Sequence, residues 1–410
     1  MNQNYDTDVI IIGAGPSGTV SACLLRKAGY KVLVLEKSVF PRFVIGESLL
    51  PQCLITLEQA GCLSAVEQAG FQQKVGATFQ HRGHYEKIIF AEKFSDGPSY
   101  AYHVERSQFD QILADCATEA GAEIRFNCTV TNVKNMFDDC VIDYTDGKGQ
   151  KQQAKARFIL DASGYGRVLP RLLKIDKPSS LEPKASLFTH VEDGIVAGEH
   201  AREETLITTH PIHRDLWFWL ISFSNGRSSV GVVGSPELIQ PYQQQGIEGL
   251  KTIISEDPEL SKILRHAQFD TQDYQINAYS GSVSQMYGDG YAVLGNAGEF
   301  LDPIFSSGVT VAMQSSKLAV ASLEKMLKGQ PVDWQAEFVD ALMIGVSTFK
   351  TYVNNWYSGG LQDVIFARSQ PYNVKSKIAS ILAGYAWDRE NPFVAKPVER
   401  LNALIQICQE

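Results

Sequence analysis

The chain has 410 residues, of which 44% are hydrophobic and 20% charged, a composition typical of a globular protein of about two or three domains. Its net charge of −9 makes nucleic acid and anionic membranes unfavourable partners. The seven cysteines are odd in number and include no Cys-x-x-Cys pair, which favours reduced thiols in a cytoplasm over a disulfide framework or a metal site. We predict no signal peptide and no transmembrane segment.

Residues Thr7 to Lys37 form a predicted βαβ unit with a dinucleotide-binding turn. An apolar strand leads into Gly-x-Gly-x-x-Gly at residues 13–18, and a second strand, Val32–Leu35, ends at Glu36. The glycines permit a tight turn, close approach of a pyrophosphate, and close packing of the helix on the strand. The free N–H groups at the helix N-terminus attract phosphate, and an acid about 20 residues beyond the turn binds ribose hydroxyls.

The remaining elements are predicted from apolar periodicity and from capping and turn residues. The predicted helices cover residues 51–60, 64–69, 107–119, 239–267 and 309–328, with a mostly helical region at the end. The predicted strands fall within residues 74–79, 85–105, 122–153, 157–161, 185–235 and 291–294. On such a strand, Lys74 shares a face with Gly76 and Thr78, away from Val75, Ala77 and Phe79.

These elements predict an α/β protein, α+β overall, with a Rossmann-like nucleotide-binding domain, an inserted β-sheet substrate domain and a C-terminal helical region. The nucleotide-binding domain is assigned to residues 1–75, 101–180 and 285–330, the substrate domain to 76–100 and 181–284, and the helical region to 331–410.

Three separated segments carry a family resemblance. They are the glycine-rich turn with Glu36, the stretch from His103 to Asp110 that leads on to 161–164, and Leu294–Ala297 followed by Phe300–Val309. Together they resemble the two-domain FAD-dependent oxidoreductases, which include aromatic hydroxylases, geranylgeranyl reductases and flavin-dependent halogenases. The resemblance covers residues 5–330 and implies FAD as cofactor.

The resemblance also implies which residues hold FAD. Arg106 corresponds to an arginine that reaches the cofactor, and the segment after residue 300 places a helix N-terminus beneath the flavin, where it stabilises negative charge. Asn296 stands where most relatives carry Asp, and its amide oxygen can still bond a ribityl hydroxyl. The implied cofactor residues are Gly13, Ala14, Gly15, Pro16, Ser17, Gly18, Glu36, Lys37, Arg42, Glu47, Ser48, Arg106, Asp161, Gly164, Gly295, Asn296, Asp302, Pro303, Ser306, Gly308 and Val309.

Finer motifs resemble the halogenase branch. Phe40–Pro51 is similar to its flavin-contact segment, Gly70–Phe79 to the segment with its active-site lysine, here Lys74, and Asp302–Gly308 to its halide loop. The amides of Ser307 and Gly308 would then hold chloride or bromide. Two positions depart from the branch: Ser222 replaces the proline of Trp-x-Trp-x-Ile-Pro, and Phe305 replaces the glutamate of tryptophan halogenases.

The resemblance implies that reduced FAD reacts with oxygen to halogenate or oxygenate an aromatic, pyrrole or phenol substrate, free or tethered to a carrier protein, with Lys74 guiding the oxidant. A separate NAD(P)H-dependent flavin reductase is implied, because the sequence contains no second glycine-rich dinucleotide motif. The main alternative is a dehydrogenase or reductase of the geranylgeranyl reductase type, which acts on an apolar carbon–carbon bond without halide. An aromatic hydroxylase and a non-catalytic flavin- or lipid-binding module are further alternatives.

Several side chains keep a purely structural alternative at this stage. Lys74 can be a surface lysine at the start of a strand, and Trp217 and Trp219, on one face of a strand, can be a packed pair instead of a wall between flavin and substrate. Glu47 and Ser48 can cap the helix after Pro51 instead of contacting flavin. The C-terminal aromatic residues can form core or a lid over the substrate.

Overall fold

The computed structural model describes residues 5–134, 139–277, 280–367 and 374–409. The domain assignments made above for residues 1–4, 135–138, 278–279, 368–373 and 410 therefore lie outside the described residues.

The described residues form strands and helices that we number in chain order. The strands are β1 Val9–Ile12, β2 Val32–Leu35, β3 Gln72–Lys74, β4 Gly76–His81, β5 His84–Ile89, β6 Ala101–His103, β7 Glu123–Arg125, β8 Thr129–Lys134, β9 Cys140–Thr145, β10 Lys151–Ala156, β11 Phe158–Asp161, β12 Asp176–Pro178, β13 Ala185–Glu192, β14 Glu204–Thr209, β15 Trp217–Ser222, β16 Arg227–Gly234, β17 Tyr274–Asn277, β18 Gly281–Val283, β19 Tyr287–Gly288 and β20 Tyr291–Val293. The helices are α1 Pro16–Lys27, α2 Gln52–Ala60, α3 Leu63–Gln68, α4 Arg106–Glu119, α5 Val168–Leu173, α6 Pro236–Gln243, α7 Ile247–Ser255, α8 Pro258–Ile263, α9 Ser307–Leu327, α10 Ala341–Tyr357, α11 Gly360–Ile365, α12 Val374–Leu382, α13 Pro392–Ala395 and α14 Pro397–Gln409.

The first sheet has the strand order β19-β20-β11-β1-β2-β7, and it confirms the predicted Rossmann-like fold. Strand β1 pairs in parallel with both β2 and β11, and all four of its residues are buried. A strand buried on both faces requires the uninterrupted apolar run that precedes Gly13. The carboxyl ends of β1, β2 and β11 meet at one edge of this sheet, where α/β folds bind their ligands.

The second sheet has the order β17-β13-β16-β15-β14-β4-β5 and is antiparallel except for the β14–β4 pair. Along β15 the side chains alternate as predicted. Trp217 and Trp219 join the main core, whereas Phe218 and Leu220 join a second core that includes residues of α6, α7 and α8. The β-rich part of the chain therefore presents one aromatic face toward the nucleotide-binding half.

Two predicted elements differ from the structure. The predicted helix over residues 239–267 is divided into three helices, because Gly246 adopts a φ of +58° and Asp257, followed by Pro258, caps a new helix. The predicted single strand over 74–79 is wrong: β3 pairs with β6, and β4 pairs with β14 and β5. Val75 lies between them, so Lys74 does not share a strand face with Gly76 and Thr78.

The C-terminal region is helical, as predicted, and its large side chains form core. Phe349, Tyr352 and Trp356 of α10 are buried in the main cluster. Among the described residues no helix is both long and apolar enough to cross a bilayer. All seven cysteines are free thiols.

Candidate active site

A cavity of about 440 Å³ lies between the parallel sheet and the aromatic face of the second sheet. Most of the predicted site residues line it: Gly13, Gly15, Pro16, Ser17, Glu36, Lys37, Arg42, Glu47, Ser48, Arg106, Gly164, Trp217, Trp219, Asn296, Asp302, Pro303, Ser306, Gly308 and Val309. The other predicted site residues do not line it: Ala14, Gly18, Lys74, Asp161, Gly295 and Ser307. Phe43 lines the cavity within the predicted flavin-contact segment, whereas Tyr165, Thr205 and Ile207 line it but were not predicted from the sequence.

The glycine-rich turn is shaped to bring backbone close to a ligand. Gly13 has a φ of +98°, and a Cβ on it would lie 2.6 Å from the carbonyl oxygen of Ala162. A Cβ on Gly18 would collide with the carbonyl of Gly13, so this glycine serves helix packing. Helix α1 begins at Pro16 with no side-chain cap at Gly15, so its N-terminal N–H groups remain available to a phosphate.

Acidic and basic side chains surround the turn. Glu36 accepts hydrogen bonds from the backbone N–H of Ala14 at Oε2 and of Ser38 at Oε1, both at 2.8 Å. The Arg42 guanidinium lies 3.1 Å from the carboxylate of Asp110. The buried Glu36 carboxylate thus stands at the end of β2, the position from which a ribose hydroxyl is bound in this fold.

Arg106 fixes the position of residues 45 and 46, which line the cavity. Its Nε and Nη2 donate to the two carboxylate oxygens of Asp110 at 2.8 and 3.0 Å, and its Nη1 donates to the carbonyl of Ile45 at 2.9 Å. Asp161, in contrast, lies behind the cavity wall. Its carboxylate accepts from the backbone N–H groups of Ser163 and Leu169, so it shapes the turn after β11.

The segment before α9 forms the far wall of the cavity. Asp302 Oδ1 accepts from the backbone N–H of Ile304 at 3.0 Å, and Ser306 turns the chain into α9 with a φ of +56°. Asn296 lines the same wall, and its buried Oδ1 has no hydrogen-bond partner among the described residues. A buried amide oxygen without a donor fits a ligand hydroxyl, such as those of the FAD ribityl chain.

Tyr357, from the C-terminal region, connects two residues of the cavity lining, Asp302 and Trp217. Its hydroxyl donates to Asp302 Oδ2 at 2.9 Å and accepts from Trp217 Nε1 at 3.0 Å. The sequence placed Tyr357 only within an aromatic helical region, and nothing local to it indicated this contact. Helix α10 therefore supplies both core side chains and, through Tyr357, a contact to the cavity lining.

We expect Tyr357→Phe to destabilise the protein by about 2 kcal/mol, because it leaves the buried Trp217 N–H without its acceptor and removes a donor to Asp302. FAD should also bind more weakly. Tyr352→Phe is the matched control on the same helix, because its buried hydroxyl has no partner among the described residues. Urea unfolding and FAD titration of both variants measure the difference. Equal behaviour of the two variants would contradict the role of Tyr357.

Lys74 is fully enclosed behind the wall formed by Ser48. Only 2% of the residue is exposed, so a surface lysine is excluded. Its Nζ donates to Ser48 Oγ at 2.8 Å and to the carbonyl of Leu49 at 3.2 Å. Burial lowers the pKa of Lys74 from 10.5 to about 7, so at neutral pH a large share of the amine is unprotonated. Such an amine can act as a nucleophile.

Glu47 and Ser48 do not cap the helix that follows them. Helix α2 has Pro51 at its N-cap and no side-chain capping bond, whereas Glu47 and Ser48 line the cavity. Glu47 is hydrogen bonded to Nε2 of His190. Burial alone would lower the pKa of His190, but the Glu47 carboxylate raises it above the ordinary value.

Trp217 and Trp219 form an aromatic wall of the cavity and are also packed against each other. Their ring centroids lie 6.0 Å apart. Trp217 Nε1 donates to Tyr357, and Trp219 Nε1 donates to Ser229 Oγ at 3.0 Å. The packed pair is therefore confirmed, and a role of the pair as a wall between flavin and substrate stays a prediction.

The family model for the FAD binding domain matches residues 6–334. The chain belongs to this family. It is an FAD-dependent oxidoreductase, and the glycine cradle, Glu36 and the unpartnered Asn296 oxygen fit that cofactor. Gly13 and Asn296 both line the cavity although they are 283 residues apart in sequence (296 − 13 = 283).

Individual relatives resemble nearly the whole chain. A flavoprotein/dehydrogenase from Cytophaga hutchinsonii is 42% identical, with 98% of each chain covered and a TM-score of 0.94. A 1H-pyrrole-2-carbonyl-peptidyl-carrier-protein chlorinase from Pseudomonas fluorescens is 25% identical over 98% of this chain and 95% of its own. The structure of the flavin-dependent brominase Bmp2 is 25% identical, with a TM-score of 0.83 over 97% of this chain and 99% of its own. The expected resemblance to flavin-dependent halogenases is thereby confirmed.

Proposed function

We propose that this protein is a flavin-dependent halogenase of a pyrrole or phenol ring, in which Lys74 carries the oxidised halogen. The observation that carries the proposal is the buried Lys74 amine, linked through Ser48 to the FAD cavity. A lysine enclosed in this way loses hydration that stabilises its charge, and a buried group with a perturbed pKa beside a cavity is a candidate functional residue.

Reduced FAD, when bound, supplies the electrons with which oxygen converts halide to hypohalous acid. The backbone N–H groups at the start of α9, at Ser307 and Gly308, suit a halide ion, because helix N-termini attract anions. The Lys74 amine then takes the halogen: an N–halogen bond forms, the halogen–oxygen bond breaks, and the amine proton leaves with the hydroxide as water. Transfer of the halogen to a ring carbon, with loss of the ring proton, restores the amine.

The proposal extends to the partners of the reaction. A chlorinase that resembles nearly the whole chain acts on a pyrrole bound to a peptidyl carrier protein, which makes a carrier-tethered pyrrole the first substrate to test. We propose a separate flavin reductase as electron donor, because the sequence has one glycine-rich dinucleotide turn and that turn is assigned to FAD. The seven free thiols favour a cytoplasmic location.

The test is a reconstituted reaction with the FAD-loaded protein, a flavin reductase, NADH, oxygen and bromide. Pyrrole-2-carbonyl carrier protein and a free phenol are offered as substrates, and products are identified by the isotope pattern of bromine in mass spectra. We expect a brominated product that requires the protein, oxygen and bromide together, and that persists when methionine is added to consume hypobromous acid free in solution.

The control omits the protein but keeps the reductase and FAD, because free reduced flavin also reacts with oxygen. Bromination that is equally fast without the protein would contradict the proposal. So would anaerobic oxidation or reduction of an apolar carbon–carbon bond with no halogenation of either substrate, a result that would instead support a dehydrogenase.

A further inference from the structure

A row of buried polar side chains leads away from Lys74 along the wall of the FAD cavity, where Ser48 and Thr205 belong to the lining. Lys74 Nζ lies 2.8 Å from Ser48 Oγ, Ser48 Oγ lies 3.0 Å from Thr205 Oγ1, and Thr205 Oγ1 lies 2.8 Å from His103 Nε2. The row ends at the carbonyl of Ser222, 3.0 Å from His103 Nδ1. None of these side chains belongs to a residue that is more than 5% exposed.

We infer the direction of the hydrogen bonds in the row from the Ser222 carbonyl, which lies 3.0 Å from His103 Nδ1; the carbonyl of Arg202 also faces the imidazole. A carbonyl oxygen only accepts, so His103 Nδ1 carries the proton and donates to Ser222. In the neutral imidazole, Nε2 must then accept from the Thr205 hydroxyl. Thr205, having donated its proton there, accepts from the Ser48 hydroxyl, and Ser48 in turn accepts from Lys74.

The direction of these hydrogen bonds determines whether the lone pair of the neutral Lys74 amine is free or accepts a hydrogen bond. A neutral amine has two N–H bonds and one lone pair. The two acceptors that Nζ has among the described residues, Ser48 Oγ and the carbonyl of Leu49, occupy both N–H bonds. The lone pair is then left free, and Ser48 cannot donate to it because its proton is committed to Thr205.

The backbone holds the row in place. Strand β6 pairs with β3 on one side, with Lys74 opposite Ala101. On its other side it pairs with residues 47–49, with Ser48 opposite His103. Thr205 approaches from β14, in the second sheet. Lys74, Ser48 and His103 are therefore positioned by neighbouring strands, independently of any ligand.

Two titratable groups around Lys74, the Cys53 thiol and the His103 imidazole, stay uncharged. Cys53 of α2 faces Lys74, and burial raises the pKa of its thiol, which stays protonated. Burial, reinforced by Lys74 and His200, lowers the pKa of His103 well below its ordinary value, so the imidazole stays unprotonated. The direction of the row is thus stable across neutral pH.

We propose that Thr205 and His103 are positioning residues for Lys74, which keep the Ser48 hydroxyl an acceptor and so keep the amine lone pair open to an incoming halogen. This inference rests on the proposed function. If the row is broken, the Ser48 hydroxyl becomes free to donate to the amine. That contact would block the lone pair, and it would also favour the neutral amine over the ammonium.

The test compares Thr205→Val with Thr209→Val in the FAD-loaded protein. Both residues lie on the same face of β14 and valine keeps their shape, but the buried Thr209 hydroxyl has no partner among the described residues. The Lys74 pKa is measured by NMR titration of the protein with labelled lysine side chains, and its signal is identified by its absence from Lys74→Met. Bromination is measured against pH in the same proteins.

For Thr205→Val we expect a Lys74 pKa at least half a unit below that of the unmodified protein and a kcat at least tenfold lower on the alkaline plateau, with the KM for bromide unchanged. The acidic limb of the rate profile should follow the pKa, since the rate rises with pH as the amine loses its proton. Thr205→Ser, which keeps the hydroxyl, should restore both values, and Thr209→Val should change neither. His103→Leu, which breaks the row at another point, should repeat the effects of Thr205→Val.

An unchanged Lys74 pKa or an unchanged kcat in Thr205→Val would overturn the inference, since a merely structural role predicts no directed change of either. If the unmodified protein gives no halogenated product, the proposed function fails by itself. The NMR titration then still decides whether the row controls the Lys74 amine, because it needs no turnover.

Discussion

Lys74→Met should abolish halogenation, with a loss of about a thousandfold or more in kcat, because methionine fills the buried space but has no nitrogen to take the halogen. FAD should bind as before, since Lys74 lies behind the cavity lining. Product formation and FAD titration measure the two effects. Lys93→Met is the control: its ammonium bonds to Gly97 and Ser99, outside the cavity lining.

The same variant tests the burial of the amine through stability. The pKa of Lys74 is about 7 in the folded protein and near 10.5 when unfolded, so the unfolded chain binds more protons between these values. The free energy of unfolding should therefore rise with pH from about 7 to about 10.5, and Lys74→Met should lose that contribution.

Retained halogenation in Lys74→Met, with Lys93→Met unaffected, would contradict the role of Lys74.

Gly13→Ala should prevent FAD binding and destabilise the protein by about 3 kcal/mol. The φ of +98° disfavours any Cβ by about 1–2 kcal/mol, and the added methyl would press on the carbonyl of Ala162. Gly29→Ala is the matched control, because Gly29 has a similar φ of +91° but no atom within 4 Å of its added Cβ. Gly29→Ala should lower the free energy of unfolding by only the cost of a Cβ at a positive φ, about 1 kcal/mol, and should leave the FAD affinity unchanged.

Urea unfolding and flavin fluorescence titration of the two alanine variants separate backbone strain from crowding at the site. If Gly13→Ala were to bind FAD as tightly as Gly29→Ala, the close approach of the turn to Ala162 would have no part in the cofactor site.

Features encoded by local sequence were predictable in this chain. The tight turn, the buried strand before it and the acid at the end of β2 depend on neighbouring residues, so their pattern survives in the sequence. The alternation along β15 likewise predicted that Trp217 and Trp219 share one face of the strand. These features together place the FAD cavity.

Features that depend on contacts between distant segments were not predictable from local pattern. The break at Val75 arises because its N–H donates to Glu203 and its carbonyl accepts from Phe90, and both partners lie elsewhere in the chain. Thr205 and Tyr357 reach the site from β14 and α10, and a single threonine or tyrosine has no spacing that reveals such a contact. Lys74 was found through family resemblance, whereas its enclosure became known only from the fold.

The most direct test of the central claim is to detect the halogen on Lys74 itself. The FAD-loaded protein is turned over with a flavin reductase, NADH, bromide and oxygen in the absence of an organic substrate, and its peptides are analysed by mass spectrometry. We expect bromine on the Lys74 side chain, lost when a pyrrole or phenol substrate is added and the brominated product appears. Brominated product formed at a full rate while Lys74 never carries bromine would contradict the account.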